Sequence, residues 1–501
     1  MLVTTRRHAR ELLGHLNLVY HRRVLLFFVC LGLALAAFAL AGAFADLALP
    51  ARRTLFVLVL AASLWVTEAI PSFAVSILVI ALEVLLLGEP GQHSGAAGKE
   101  WERYIRVLGH PLIWLFFGGF SLAAAASKAR LDRQLAAKVL QISGTQPRSV
   151  LAGVMALTFV LSMFISNTAT TAMMIAVLAP VFGGLDAKNR FGAGLLLGVC
   201  FAANIGGMGS IIGTPPNAIA VGLLADATHT NIGFGQWFLI GLPPALCLLM
   251  LTFAWIHHYF PSSEARIEVN PHADTPPAGS HTSAGRPSQL HGSSAAATRP
   301  LLRPWQRITV VFTFTATVLL WMTGGLHGLP TAAVSLLPIV VFTGTGVLTA
   351  VEIRGLSWDV LLLIAGGLSL GVAISTTGLA TWIVTHLPLS GLPKMALAFA
   401  LAYLCITLAN FMSHTAAANV LVPIAIALAP GGEAALALPT ALAASAAAAL
   451  PISTPPNAIA FSHGLIHIKD MLRLGIVLAI IAPAMAVLWS EFVLPLVLHT
   501  Q

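Results

Sequence analysis

The sequence predicts an all-α polytopic membrane protein, with about 11 transmembrane helices and two re-entrant hairpins arranged as two inverted repeats. Three observations lead there. The chain is 57% hydrophobic and only 9% charged, with a mean hydropathy of +0.89, whereas a soluble domain carries about 25% charged residues. Its apolar runs are long, for example Val24 to Ala45, Ile308 to Met322 and Leu474 to Leu488; these suit spans of ~20 residues and not the short alternating strands of a barrel. Polar strings also recur in order. Phe117-Gly118-Gly119-Phe120-Ser121 matches Ala365-Gly366-Gly367-Leu368-Ser369, Ser166-Asn167-Thr168 matches Ser413-His414-Thr415, and Gly213-Thr214-Pro215-Pro216-Asn217 matches Ser453-Thr454-Pro455-Pro456-Asn457, at offsets of 248, 247 and 240. Three ordered matches at nearly constant offset indicate duplication, and an odd number of crossings between the copies makes the repeats inverted.

Taken in order, residues 1–23 form a cytoplasmic tail and 24–260 the first repeat, with helices near 24–48, 54–70, 72–88, 109–127, 191–212, 216–225 and 236–257. The first run is too long for a signal peptide and stays as a span. Residues 261–304, rich in Pro, Ser, Gly, Ala and His, read as a flexible cytoplasmic linker. The second repeat occupies 305–501, with helices near 306–325, 331–348, 358–376, 435–452 and 471–496. Segments 149–182 and 393–430 are apolar but carry a polar tripeptide at their centres. Each reads as a hairpin with a polar tip, the alternative being one straight span. Lys128 to Arg148 sets Lys128, Arg130, Arg133 and Lys138 among Leu131, Leu135, Val139 and Leu140. It is expected as an amphipathic helix on the cytoplasmic surface, or else a basic loop, with Thr377 to Leu392 as its outer counterpart.

With a cytoplasmic N-terminus, the inner segments hold 20 of the 26 Lys and Arg residues, although Arg52 and Arg53 fall outside. The net charge of +8 is therefore mostly topology in an inner (plasma) membrane, not a nucleic-acid footprint. Cys30, Cys200, Cys247 and Cys405 lie in apolar segments without metal-ligand spacing and are expected to pack in the core. Glu68 and Glu83 are expected in structural or interfacial positions, and His463 and His467 in a solvated loop.

Hydroxyls, amides and prolines are costly in hydrocarbon unless they line a site, so matching polar clusters in two repeats point to a binding site at the repeat interface. A hairpin tip leaves backbone NH groups free for an anion and CO groups free for a cation. Ser166, Asn167 and Thr168 add neutral hard oxygens suited to Na⁺ and donors suited to a carboxylate or sulfate. Each Pro-Pro pair removes NH donors and pushes Thr214 or Thr454 out of helical conformation. The helix that restarts after it presents a positive N-terminus to an anion; a kink used only for packing is the bland alternative.

The string Ser166-Asn167-Thr168-Ala169-Thr170-Thr171-Ala172-Met173-Met174, the break Gly213 to Asn217 and their second-half partners resemble the divalent anion:sodium symporter family over most of the chain. The resemblance implies an elevator-type secondary transporter with scaffold and transport domains, usually a homodimer in the bilayer. Its cargo would be a small anion, a di- or tricarboxylate or sulfate, coupled to Na⁺ and with no organic cofactor. It implies Asn167, Thr168, His414, Thr415, Thr454 and Pro455 near substrate. One Na⁺ would lie among Ser162, Ser166, Asn167 and Gly213, and another among Ala409, Met412, His414 and Ser453, through carbonyls where the side chain is apolar.

His414 departs from the family's Asn. Imidazole is a poor Na⁺ ligand, but when neutral it can donate an NH to a carboxylate. Relatives that exchange anions are similar in replacing sodium with basic side chains, yet no Lys or Arg follows Ser166-Asn167-Thr168 within the first hairpin. A C4-dicarboxylate symporter is the reading, with an exchanger, or sulfate or citrate symport, as the alternative. The chain lacks HExxH, GxSxG and paired intramembrane aspartates, which argues against an enzyme. Paired motifs within one chain fit alternating access better than a channel, and no signalling module is visible for an anion sensor.

Overall fold

The computed structural model describes residues 2–88, 100–182, 190–228, 231–262, 266, 302–386 and 392–498, without the side chains of the first 20. All its regular structure, among the described residues, is helical. Most of the expected linker 261–304 and part of Thr377 to Leu392 lie outside them.

The first half runs α1 (Leu2–Ala41), α2 (Leu49–Thr67), α3 (Ser72–Leu86), α4 (Glu102–Arg106), α5 (Pro111–Lys128), α6 (Leu131–Ser143), α7 (Pro147–Ser162), α8 (Asn167–Val177), α9 (Ala179–Phe182), α10 (Phe191–Gly207), α11 (Pro215–Thr228) and α12 (Phe234–Tyr259). The second runs α13 (Pro304–Met322), α14 (Gly324–His327), α15 (Thr331–Val334), α16 (Leu336–Gly344), α17 (Ala350–Arg354), α18 (Trp358–Thr376), α19 (Leu379–His386), α20 (Lys394–Phe411), α21 (His414–Ala427), α22 (Glu433–Ser445), α23 (Pro455–Ser462) and α24 (Ile468–Leu498). Seven described helices are long and apolar enough to cross a membrane, and six shorter apolar ones accompany them.

Helix starts follow local rules. Proline opens α5, α7, α13 and α23, where its missing NH costs nothing. Ser166 and Ser413 cap α8 and α21, each hydroxyl accepting the amide three residues on at 3.2 Å. Both tripeptides thus sit where a hairpin turns. α6 is the amphipathic helix expected after Lys128.

The segment before the first span is helical from Leu2 and continuous with it; it is rich in Arg, Leu and His and contains no proline to stop a helix. Two expectations are corrected. The expected helices 191–212 and 435–452 stop at Gly207 and Ser445, because buried amides take over the carbonyls beyond. Cys30, Cys200 and Cys405 are buried, but Cys247 is exposed on α12. Glu83 is fully buried and accepts a hydrogen bond from Ser369, while Glu68 is the exposed left-handed C-cap of α2.

The halves interlock. In each, the broken helix packs along its own hairpin, α10 on α7 and α8, α22 on α20 and α21. Each restarted helix then crosses to the other half: α11 packs on α21 and α22, α23 on α8 and α10. Around this knot, α3 packs on α18 and α2, and α5 on α16.

The paired glycines set these close approaches. A Cβ on Gly118 would lie 2.5 Å from the Ser335 carbonyl oxygen, and one on Gly366 would lie 2.4 Å from Ser76 Cβ, so both glycines seat their helices against the surrounding layer. Gly119 and Gly367 face the knot instead, against Ile212 and Asn419. Helices in hydrocarbon approach through such small residues, since apolar burial no longer favours association.

Candidate functional site

The polar strings meet at the two hairpin tips and the two helix breaks. Each break is held open by its own Asn. Asn217 Nδ2 donates to Gly207 O at 3.0 Å and to Ser210 O at 2.7 Å. Asn457 Nδ2 donates to Ala448 O at 2.9 Å and to Leu450 O at 3.0 Å. A side-chain amide replaces the missing helical donors, which satisfies carbonyls that would otherwise be orphaned in hydrocarbon.

At the first tip, Ser162 Oγ lies 2.6 Å from Asn167 Oδ1 and 2.8 Å from Ala203 O, so three neutral oxygens share one point. Gly207 packs against the Asn167 amide; a Cβ there would lie 3.0 Å from Asn167 Nδ2 and Oδ1 and 2.3 Å from Thr214 Cγ2. Gly213 in turn backs onto Gly207 O. Ser162, Asn167 and Gly213 are therefore brought together, whereas the Ser166 hydroxyl is turned to its own helix as a cap. Ser162 is buried, Asn167 and Thr168 are half-buried and Ser166 is exposed.

The second tip is built differently. Ser453 Oγ donates to Asn410 O at 2.9 Å and accepts from Leu450 N at 3.1 Å, while Asn410 Oδ1 accepts from Ala449 N at 2.8 Å. Ala409 and Met412 are buried beside this knot, Met412 in extended conformation at the turn. His414 and Thr415 are buried in the first turn of α21. The imidazole lies beside the Ala447 backbone, and its Nε2 has no partner among the described residues. At the repeat offset, Ser162 and Asn167 correspond to Ala409 and His414, so the second tip lacks both side-chain oxygens of the first.

Thr454 caps α23, accepting Asn457 N at 3.3 Å, and Pro455 is exposed at the first helical position. The breaks are tied across the repeats. Asn204 Nδ2 on α10 donates to Thr454 Oγ1 at 3.2 Å and to Asn457 Oδ1 at 3.0 Å. Ser445 on α22 lies 2.7 Å from Thr214 Oγ1 and 3.0 Å from Asn217 Oδ1. Sequence reading missed Asn204, Ser210, Asn410 and Ser445 as site residues. The available signal was a lone polar residue inside an otherwise apolar run.

No Asp, Glu, Lys or Arg lies between Arg148 and Asp186, Arg190 and Asp226, Lys394 and Glu433, or Glu433 and Lys469. Every member of the site is thus neutral or an imidazole. Helices α8, α11, α21 and α23 all begin at the strings, so their partly positive ends supply the field for an anion, and neutral oxygens supply that for a monovalent cation.

Comparison with known proteins agrees. The citrate transporter family matches residues 62–447. The sodium-dependent dicarboxylate transporter SdcS of Staphylococcus saprophyticus is 30% identical over 469 residues, which is 87% of this chain and 85% of that protein. SdcS of Staphylococcus aureus USA300 is 30% identical over 470 residues, with the same shares. An uncharacterized transporter of Haemophilus influenzae is 29% identical over 86% of this chain and 89% of its own. Two solved transporters share the fold: YdaH of Alcanivorax borkumensis, with a TM-score of 0.51 at 14% identity over 84% of this chain and 96% of that one, and MtrF of Neisseria gonorrhoeae, with 0.50 at 11% over 84% and 94%. With this family match and the neutral two-tip site, the chain belongs to the citrate transporter family, among the divalent anion:sodium symporters, and is a multi-pass membrane transporter, not an enzyme.

Proposed function

We propose that the protein imports small di-anions, C4-dicarboxylates such as succinate, malate or fumarate, coupled to Na⁺. The observation that carries this is the oxygen cluster of Ser162, Asn167 and Ala203 at the N-terminal end of α8. Hard neutral oxygens suit Na⁺, and the adjoining helix end suits a carboxylate, so the two ligands bind as neighbours and favour each other. Relatives named as sodium-dependent dicarboxylate transporters support the same reading.

In this proposal Asn167, Thr168, His414, Thr415, Thr454 and Pro455 approach the substrate. Ser162, Ser166, Asn167 and Gly213 surround one Na⁺; Ala409, Met412, His414 and Ser453 surround the second, through carbonyls where the side chain is apolar. The first cluster fits a sodium ion by its donor set. At the second tip Ser453 and Asn410 are engaged with one another, which leaves backbone carbonyls as the remaining oxygens. The protein would act as a homodimer in the inner membrane with a cytoplasmic N-terminus. The interlocked hairpins and broken helices would move as one body against the surrounding layer.

A second reading, anion exchange, is favoured by one observation: an imidazole stands where the first repeat has an amide. The test is radiolabelled succinate uptake into proteoliposomes. One condition has an inward Na⁺ gradient over an empty lumen; the other has equal Na⁺ and a lumen preloaded with unlabelled dicarboxylate. Uptake under the gradient alone is the expected result. Uptake only into preloaded vesicles would replace symport by exchange, and no uptake in either would overturn the substrate class.

A further inference from the structure

Asn204 lies wholly buried in α10, and its Oδ1 has no hydrogen-bond partner among the described residues. The network dictates which amide atom is left over. Asn457 gives its Nδ2 to two carbonyls, so its Oδ1 must receive a donor, and that donor is Asn204 Nδ2. The oxygen of Asn204 is then the idle atom. A buried acceptor without a donor is costly in a membrane interior, and natural structures seldom keep one without a ligand or ion to meet it.

Two hydroxyls nearby are also idle. Buried helical threonines in this fold return their hydroxyls to the carbonyl four residues back, as Thr158, Thr252, Thr317 and Thr440 do at 2.7, 2.7, 2.7 and 2.6 Å. Thr170 and Thr171, equally buried in α8, have no such bond and no other partner among the described residues.

The topology places these atoms at one level. Gly198 packs against Leu151 and Met155, and Gly206 against Phe159, so α7 and α10 run parallel. α8 returns from the hairpin and therefore runs antiparallel to α10. Asn167 touches Gly207; Thr170 and Thr171 lie one turn beyond Asn167, and Asn204 one turn before Gly207. α8, α10 and α23 all pack on one another, and α23 meets α10 at Asn204.

We propose that Asn204 Oδ1 and the hydroxyls of Thr170 and Thr171 form a monovalent-cation site between α8 and α10, distinct from the cluster at Ser162 and Asn167. One helical turn, about 5.4 Å, separates the two levels. The donors are all neutral oxygens, and the described residues contain no group of three His, Cys, Asp or Glu, so the chemistry selects a hard monovalent ion such as Na⁺ over a divalent metal. The site also touches the second repeat, because Asn204 holds Thr454 and Asn457. An ion there would order the α23 break as well as the first tip. The proposal rests on the sodium-coupled reading above.

The test uses the full chain in proteoliposomes with paired radiolabelled Na⁺ and succinate fluxes. Thr170→Val and Thr171→Val together remove two hydroxyls with little change in shape. The double variant is expected to carry one fewer Na⁺ per succinate and to need about tenfold more Na⁺ for half-maximal uptake, a factor equal to about 1.4 kcal/mol. Thr170→Ser with Thr171→Ser should restore both values. Thr158→Val, whose hydroxyl serves only its own helix, is the packing control and should leave the ratio intact. A ratio and sodium requirement unchanged in the valine pair, or altered as much by Thr158→Val, would overturn the site while leaving sodium coupling standing. A wild type indifferent to Na⁺ would overturn both. The sodium-dependent rise in melting temperature of each single valine variant gives a reading free of transport. A smaller rise supports the site, and a rise equal to wild type in both contradicts it.

Discussion

Asn167 and His414 hold equivalent places in the two repeats but do different work. Asn167 offers an oxygen that Ser162 and Ala203 help to cluster; His414 offers a ring nitrogen, and the Ser162 position has become Ala409. The two tips are thus unequal in cation chemistry, although the backbone caps around them match at 3.2 Å. His414→Asn should return a hard oxygen to the second tip. The half-saturating Na⁺ concentration for uptake is expected to fall, on the order of fivefold for about 1 kcal/mol of added binding. A sodium titration that superimposes on wild type would leave His414 with a packing role only.

At the scale of elements, the two Pro-Pro-Asn breaks are self-contained joints that then lock one another. Asn217 and Asn457 bridge their own gaps, and Asn204 and Ser445 reach across to the other repeat. Gly207 is a point of close approach in this arrangement. Gly207→Ala places a Cβ 2.3 Å from Thr214 Cγ2 and 3.0 Å from the Asn167 amide, in a packed site where overpacking costs about 1–3 kcal/mol. Its expected effect is a lowered melting temperature together with at least a tenfold loss of succinate uptake, about the effect of 1.4 kcal/mol at the binding site. Full uptake by this variant would show that Asn167 need not keep its place.

Across the whole molecule, the end of α5 in the first half is tied to α17 in the second by the ion pair of Lys128 and Glu352, 2.6 Å apart and both largely buried. Burial by itself would raise the Glu352 carboxyl, but hydrogen bonds from Lys128 and Thr349 outweigh it and hold the pKa at about 2, below the ordinary 4.5. A carboxyl lowered in this way favours the fold fully above pH 4.5 and ceases to do so as pH falls towards 2. The melting temperature of the detergent-solubilised protein should therefore fall through that window. Glu352→Gln should melt lower at pH 7 and lack this part of the acid decline; an identical acid profile would show that the pair adds nothing.

Hydropathy, helix caps and the repeated strings are local properties, so the chain by itself determined the helical membrane class, the hairpins at Ser166 and Ser413, and the breaks at the Pro-Pro pairs. Local pattern could not say where a buried polar side chain finds its partner. Asn204, Asn410 and Ser445 each look like an isolated polar residue in an apolar run; packing of the two repeats brought Asn204 and Ser445 to the breaks, and packing of α20 against its own repeat's break brought Asn410 there. α10 and α22 end short of their apolar runs because the amides of Asn217 and Asn457, just beyond each Pro-Pro pair, satisfy the unwound carbonyls. In a medium without water, the tertiary partner decides whether a polar residue is a flaw or part of a site.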